Sequence, residues 1–387
     1  MDAVQLFAVL ATVALAASMI SVEVGITVAL VELTLGVVAG NVFDLQTQDW
    51  LTLIASFASI VLTFLAGMEV DPTYMRRRLG ATVGIGVVSF VGPFVVASTV
   101  AYLVLDWSGR ASLITGTALS TTSLAVVYSV LVERGLTETE IGKLLMSATF
   151  VTDLCTAVAL SAIFIKPNAW FPVFLIVSLF LILALPKLAP WFFRRYGDRV
   201  IEPEIKLVFV CLLLLMVLAD ASNGHAVLPA FVLGLVMSRH YREHREEQKR
   251  LRVVAFAALT PFFFIKGGMN VSLSAVFSNL GLLAVLFATK MIPKLAFVYP
   301  LARRADRQHG LFATLLMSTG LTFGTISSLY GLNAGIIDTT QFSLLITVVV
   351  LSAVGPTAIA ERWFLPPPER QRVLAHRDVG EAAEEFV

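Results

Sequence analysis

Apolar runs of about 20 residues, separated by short polar breaks, recur along the chain from Val4 to Ala360. A helix needs about 20 such residues to cross the hydrocarbon of a bilayer. A sliding-window reading predicts about thirteen crossings, at 3–20, 22–40, 51–68, 80–104, 111–132, 141–165, 170–192, 204–220, 224–238, 252–266, 278–298, 309–331 and 341–360. The expected fold class is an all-α polytopic membrane protein.

The basic residues test that count. Arg76, Arg77 and Arg78 follow the third run, Arg134 and Lys143 the fifth, and Arg194, Arg195, Arg199 and Lys206 the seventh. Arg239 to Arg252 follow the ninth, and Arg303, Arg304 and Arg307 the eleventh. Every other connection is nearly free of Lys and Arg, the exceptions being Arg110, Lys166 and Lys266, the last expected at an interface. Under the positive-inside rule this alternation places the N-terminus outside and the C-terminus in the cytoplasm. A prokaryotic plasma membrane is the expected location, with residues 361–387 as a short cytoplasmic tail. The first run is not expected to be a cleavable signal, because no basic residue precedes it.

Composition agrees. Of 387 residues, 57% are hydrophobic and 14% charged, against about 25% charged in soluble domains. A net charge of +1 excludes a strongly basic nucleic-acid binder. Cys155 and Cys211 both lie inside apolar runs and read as thiols without a disulfide. No histidine spacing suggests a metal site, and no nucleophile motif of a soluble enzyme is present. The chain is not expected to be an enzyme or to carry a cofactor.

Against that background Asp153 stands out: a carboxylate within Met146–Ile165, beside Ser147, Thr149, Thr152, Thr156 and Ser161. A charge near the bilayer centre costs about 2.5–3.5 kcal/mol on insertion scales, so it is kept where it faces protein or water and carries a proton or an ion. The alternative is a purely structural, hydrogen-bonded acid.

Two regions about 200 residues apart resemble each other, 119–146 and 321–346. Each opens on small polar residues and proceeds through an apolar stretch, a glycine-containing loop and an acidic-plus-threonine cluster. They fall on the fifth and twelfth runs, an odd separation that gives the copies opposite orientation. Inverted repeats mark secondary transporters, with the substrate site at the repeat interface. Both copies place glycines and hydroxyls at mid-membrane depth: Gly116, Ser120, Thr121, Thr122 and Ser123 in one, Gly320, Thr322 and Gly324 in the other. Glycine disfavours helix interiors and Ser or Thr hydroxyls compete for backbone groups, which permits interrupted helices. Small residues in ordinary close helix packing are the competing explanation.

These residues carry a family resemblance. The run Thr117-ALSTTSLAVV-Tyr128, followed by Glu133-RGL and Phe150-VTD, resembles the monovalent cation:proton antiporter superfamily, in the branch of bacterial sodium/proton exchangers and glutathione-gated potassium effluxers. Val31-ELTLGVVAGN, Phe64-LAGMEVD, Leu218-ADASNGHAVLPAFVLGLVMS and Pro261-FFFIKGGM extend the likeness over most of the chain. The resemblance implies an inverted-repeat fold with two crossed discontinuous helices, a homodimer, and elevator-like alternating access around a carboxylate matching Asp153. It implies a core of about 51–165 and 278–360, with dimerisation elements at about 1–50 and 170–266. Glu32 and Glu69 stand at the family's acidic positions, as structural partners or as part of an ion path. A lysine precedes the second interrupted helix in the family. Lys294, nine residues before Arg303, is the better match, with Lys290 one turn away.

Electrogenic members carry two adjacent acids, whereas Thr152 precedes Asp153 here. One carboxylate alternately taking H⁺ or a monovalent cation gives one-for-one, electroneutral exchange. Sodium is the first candidate and potassium the second. Thr152, Thr121, Thr122 and Ser123 are the candidate neutral ligands, and Lys294 the charge that braces the core, against the alternative that both lysines reach to the interface. Competing classes remain. A cation channel would share the hydroxyl-rich breaks without needing a central titratable group. A retinal-type photoreceptor would use a buried lysine and would be coloured. An intramembrane aspartyl hydrolase would need a second facing carboxylate.

Overall fold

The computed structural model describes residues 2–24, 27–68, 77–136, 139–164, 168–197, 199–224 and 226–366. Glu69, Arg76, Lys166 and most of the tail lie outside them. Helices account for nearly all of the rest. In chain order they are α1 (Ala3–Val24), α2 (Val28–Asn41), α3 (Asp49–Met68), α4 (Leu79–Leu103), α5 (Gly109–Ser120), α6 (Leu124–Glu133) and α7 (Glu140–Phe164). There follow α8 (Phe171–Tyr196), α9 (Pro203–Ala221), α10 (Val227–Glu243), α11 (Arg245–Ala258), α12 (Thr260–Met269) and the short α13 (Leu273–Ser278). Last come α14 (Leu280–Pro293), α15 (Tyr299–Ala305), α16 (Gly310–Met317), α17 (Thr322–Asn333) and α18 (Thr339–Trp363). Among the described residues, each of the thirteen apolar runs coincides with one or more helices.

The fifth and twelfth runs are each split. α5 ends at Ser120 and α6 begins at Leu124, with Thr121 in extended conformation. α16 ends at Met317 and α17 begins at Thr322. The eleventh run is continuous but deformed: Pro293 lacks a donor, and one π-helical turn, Lys294–Val298, joins α14 to α15. Single π-helical turns inside α-helices are frequent at functional sites. Helix starts follow local chemistry. The Ser108 hydroxyl accepts from Ala111 N–H at α5, and Asp338 with Gln341 forms a reciprocal capping box at α18.

Packing sorts the helices into two sets. α4 packs on α5 and α7, and α14 to α18 close around them; α1, α2 and α3 pack with α8 to α12. α3, grouped by sequence with the first set, packs on α10 and α12 instead. The seam between the sets is aromatic. Phe150 of α7 stacks on Phe231 of α10 at 5.2 Å, and Phe231 meets Phe323 of α17 edge-on at 6.2 Å. Asp153 lies one turn beyond Phe150.

Candidate functional site

The two breaks meet. Ser123 N–H donates to the carbonyl of Thr319 (3.2 Å), and the Thr122 hydroxyl donates to the carbonyl of Met317 (2.8 Å). Each break leaves unpaired carbonyls at the end of a helix, and the last carbonyls carry the negative end of its dipole. A lysine answers each one. Lys290 Nζ donates to the carbonyls of Leu119 and Thr121, both at 3.0 Å, at the end of α5. Lys294 Nζ donates to the carbonyl of Met317 (2.9 Å) at the end of α16, to the Thr122 hydroxyl (2.9 Å) and to the Ser89 hydroxyl of α4 (2.6 Å). Three acceptors match the three N–H donors of an ammonium. Both lysines are 0% exposed, which overturns the reading that places them at the interface.

Asp153 sits on α7 at 1% exposure, and its Oδ1 has no hydrogen-bond partner among the described residues. Lys294 acts on it through its field. That ammonium donates to three oxygen acceptors, none of them the Asp153 carboxylate.

The hydroxyls predicted as ion ligands divide into different tasks. Thr152 donates to the carbonyls of Gly86 and Ala148 at 3.1 Å each, tying α7 to α4. Thr121 donates to the carbonyl of Ala118 (3.0 Å), and the Ser123 hydroxyl accepts from Val126 N–H (3.4 Å). Gly116 and Ser120 lie on α5, the first half of the interrupted run, with Ser120 its last residue. A Cβ on Gly116 would collide with Ser98 and with the carbonyl of Phe94 (2.7 Å), so that glycine serves the approach of α5 to α4. Gly320 lies in the second break, where a Cβ would stand 2.5 Å from Lys290 Nζ. Thr322 opens α17, and Gly324 faces the Thr121 hydroxyl.

Glu32 is buried on α2, in the other helix set, with Oε2 unpartnered among the described residues. Glu69 lies outside those residues. Lys266, expected at an interface, is 2% exposed on α12, because α12 packs closely on α2 along its length. Ser89 was missed. Its only sequence signal is a single hydroxyl in the apolar stretch Gly86-VVSFV-Gly92.

With this geometry established, known proteins provide a comparison. The family described as sodium/hydrogen exchanger, transmembrane, matches residues 7–362. Probable Na(+)/H(+) antiporter 3 of Methanocaldococcus jannaschii is 25% identical over 328 residues, covering 81% of this chain and 83% of that one. Na(+)/H(+) antiporter NhaS4 of Synechocystis is 23% identical over 355 residues, covering 84% and 85%. The structure of the sodium proton antiporter MjNhaP1 from M. jannaschii at pH 8 matches with a TM-score of 0.66 at 14% identity, over 93% of this chain and 97% of that one. The fold is shared at that level.

Proposed function

The chain belongs to the sodium/hydrogen exchanger family of integral membrane cation/proton antiporters, and from that premise we propose that it exchanges one monovalent cation for one proton at Asp153. Sodium is the first candidate and potassium the second. The carrying observation is a buried carboxylate with an unpartnered oxygen, placed among elements whose lysines are already engaged. A proton or a cation can each neutralise it, and one excludes the other. That competition is sufficient for exchange, and a single carboxylate gives an electroneutral cycle. Thr121 and Thr152 retain acceptor lone pairs toward a partly dehydrated ion, and Thr122 holds Lys294.

The division into two helix sets supports an alternating-access reading. The set of α4–α7 and α14–α18 carries Asp153 and both breaks, and moves in an elevator-like fashion along the seam at Phe150, Phe231 and Phe323. The other set is the scaffold, and it forms the homodimer contact. In a prokaryotic plasma membrane the N-terminus is outside and the Arg303–Arg307 end is cytoplasmic.

The test uses acid-loaded liposomes of the purified protein. External Na⁺ or K⁺ alkalinises the lumen for the wild type and fails to do so for Asp153→Asn. A clamped potential leaves the rate unchanged, since net movement of one charge would couple at about 2.3 kcal/mol per 100 mV. Exchange that survives in Asp153→Asn places the site elsewhere.

A further inference from the structure

At the end of α15 the chain builds a concave basic surface that the exchange reaction does not use. Two adjoining cavities of about 600 and 450 Å³ share Tyr299, Arg303 and Arg307 as walls. Arg304 completes the first, and Trp363 and Leu311 close part of the second. Three guanidinium groups therefore fall within five residues, and none has an acidic partner among the described residues. The nearby Asp306 is already satisfied: its Oδ2 meets His309 Nδ1 at 2.8 Å, and its Oδ1 accepts from the backbone N–H groups of Gln308 (3.0 Å) and His309 (3.1 Å). Arg303 instead lies over the Tyr299 ring, 5.9 Å from its centre. Unpaired guanidinium groups around a cavity suit a phosphoryl anion, which they can grip with two parallel N–H donors.

The surroundings point to a lipid rather than a soluble anion. Ile292 (64% exposed) and Phe297 (49%) project from the same continuous helix just before the arginines, and Trp363 (65%) stands at the cavity rim. Exposed apolar side chains, then aromatic rings, then arginines reproduce the profile of acyl chain, interface and headgroup. We propose that this cavity binds the headgroup of an anionic phospholipid, with its acyl chains along the Ile292–Phe297 face. Because α15 continues the helix that bears Lys290 and Lys294, and α16 and α18 complete the walls, the bound lipid braces the elements around the second break.

Purified full-length protein in neutral detergent is titrated with phosphatidylglycerol, phosphatidylcholine or soluble glycerol phosphate. Retained ligand is counted by native mass spectrometry, and the unfolding temperature is followed in parallel. Phosphatidylglycerol is retained and raises the unfolding temperature, and the other two are not retained at equal concentration. Each arginine contributes about fivefold at an anionic headgroup. The double variant Arg303→Gln with Arg307→Gln therefore needs about 25-fold more phosphatidylglycerol for half-saturation, and Arg194→Gln with Arg195→Gln needs no more than wild type. Equal retention of glycerol phosphate makes the cavity a soluble-anion site and overturns the lipid assignment. Equal retention of phosphatidylcholine, or unchanged affinity in the Arg303/Arg307 variant, overturns it as well. The three-ligand comparison on wild-type protein decides the question if that variant does not fold.

Discussion

Lys290 and Lys294 stand one turn apart on a single helix, yet each holds the carbonyl end of a different interrupted helix, α5 for Lys290 and α16 for Lys294. The deformation after Pro293 lies at Lys294, where the two caps diverge. Removing either side chain strands buried carbonyls, at a cost of about 1–3 kcal/mol for each group left unsatisfied. Lys290→Met and Lys294→Met are therefore both expected to lower the unfolding temperature in detergent. Lys294→Met also frees Thr122 and Ser89 beside the Asp153 field, so it is expected to slow exchange more than Lys290→Met. Scanning fluorimetry and liposome flux read the two effects separately. Unfolding temperatures equal to wild type in both variants remove the capping role.

Gly320 makes room for one of those caps. An added Cβ would stand 2.5 Å from Lys290 Nζ and 3.2 Å from the Thr121 hydroxyl, so the lysine must leave its carbonyls or the break must shift. Gly320→Ala is expected to lose more than tenfold in exchange rate. Gly84 on α4 is the control, because nothing lies within 4 Å of its added Cβ. Gly84→Ala should be neutral or stabilising by up to about 1 kcal/mol, since alanine favours a helix over glycine. If both variants exchange at the wild-type rate, the break does not require the space.

Thr152 precedes the carboxylate but spends its donor on backbone. Its hydroxyl bonds to the carbonyls of Gly86 and Ala148, where α7 lies so close to α4 that a Cβ on Gly86 would stand 2.5 Å from that of Val151. Thr152→Val keeps the shape and removes the hydrogen bonds, a loss of about 1 kcal/mol in stability. Because the same oxygen keeps a lone pair toward the ion, the cation concentration for half-maximal flux is expected to rise by no more than about threefold, the size of one weak neutral contact. A much larger rise would instead make its oxygen a principal ligand of the ion.

Hydropathy made the thirteen segments legible, because lipid sets the length of an apolar helix whatever its neighbours. Clustered Gly, Ser and Thr marked both interrupted runs, and the cost of an intramembrane charge singled out Asp153. Partner choice was not legible. In helices that are apolar nearly all round, the 3.6-residue period does not say which face meets which neighbour. That is why Ser89 was missed, why Lys266 was expected at an interface, and why α3 packs on a different set from the one its sequence position suggests. Gly116 and Ser120 show the same limit: the residues of a hydroxyl-rich stretch were visible, but not which of them leaves the helix.

Asp306, in the connection between two spans, offers a pH test. Partial burial alone would raise the Asp306 carboxyl. Hydrogen bonds from the His309 ring, the backbone N–H groups of His309 and Gln308, and the field of the ring outweigh it, leaving the group below its ordinary value of 3.8. A carboxyl depressed in the folded state stabilises at pH above its unfolded value, and that contribution is lost as pH falls through the folded one. Asp306→Asn is therefore expected to unfold at lower temperature than wild type near neutrality, with the gap closing as the solution is acidified below the ordinary aspartate range. Unfolding temperatures of the two proteins across that range supply the measurement. A gap that stays constant into acid would assign the loss to altered packing at the start of α16 rather than to the charge of Asp306.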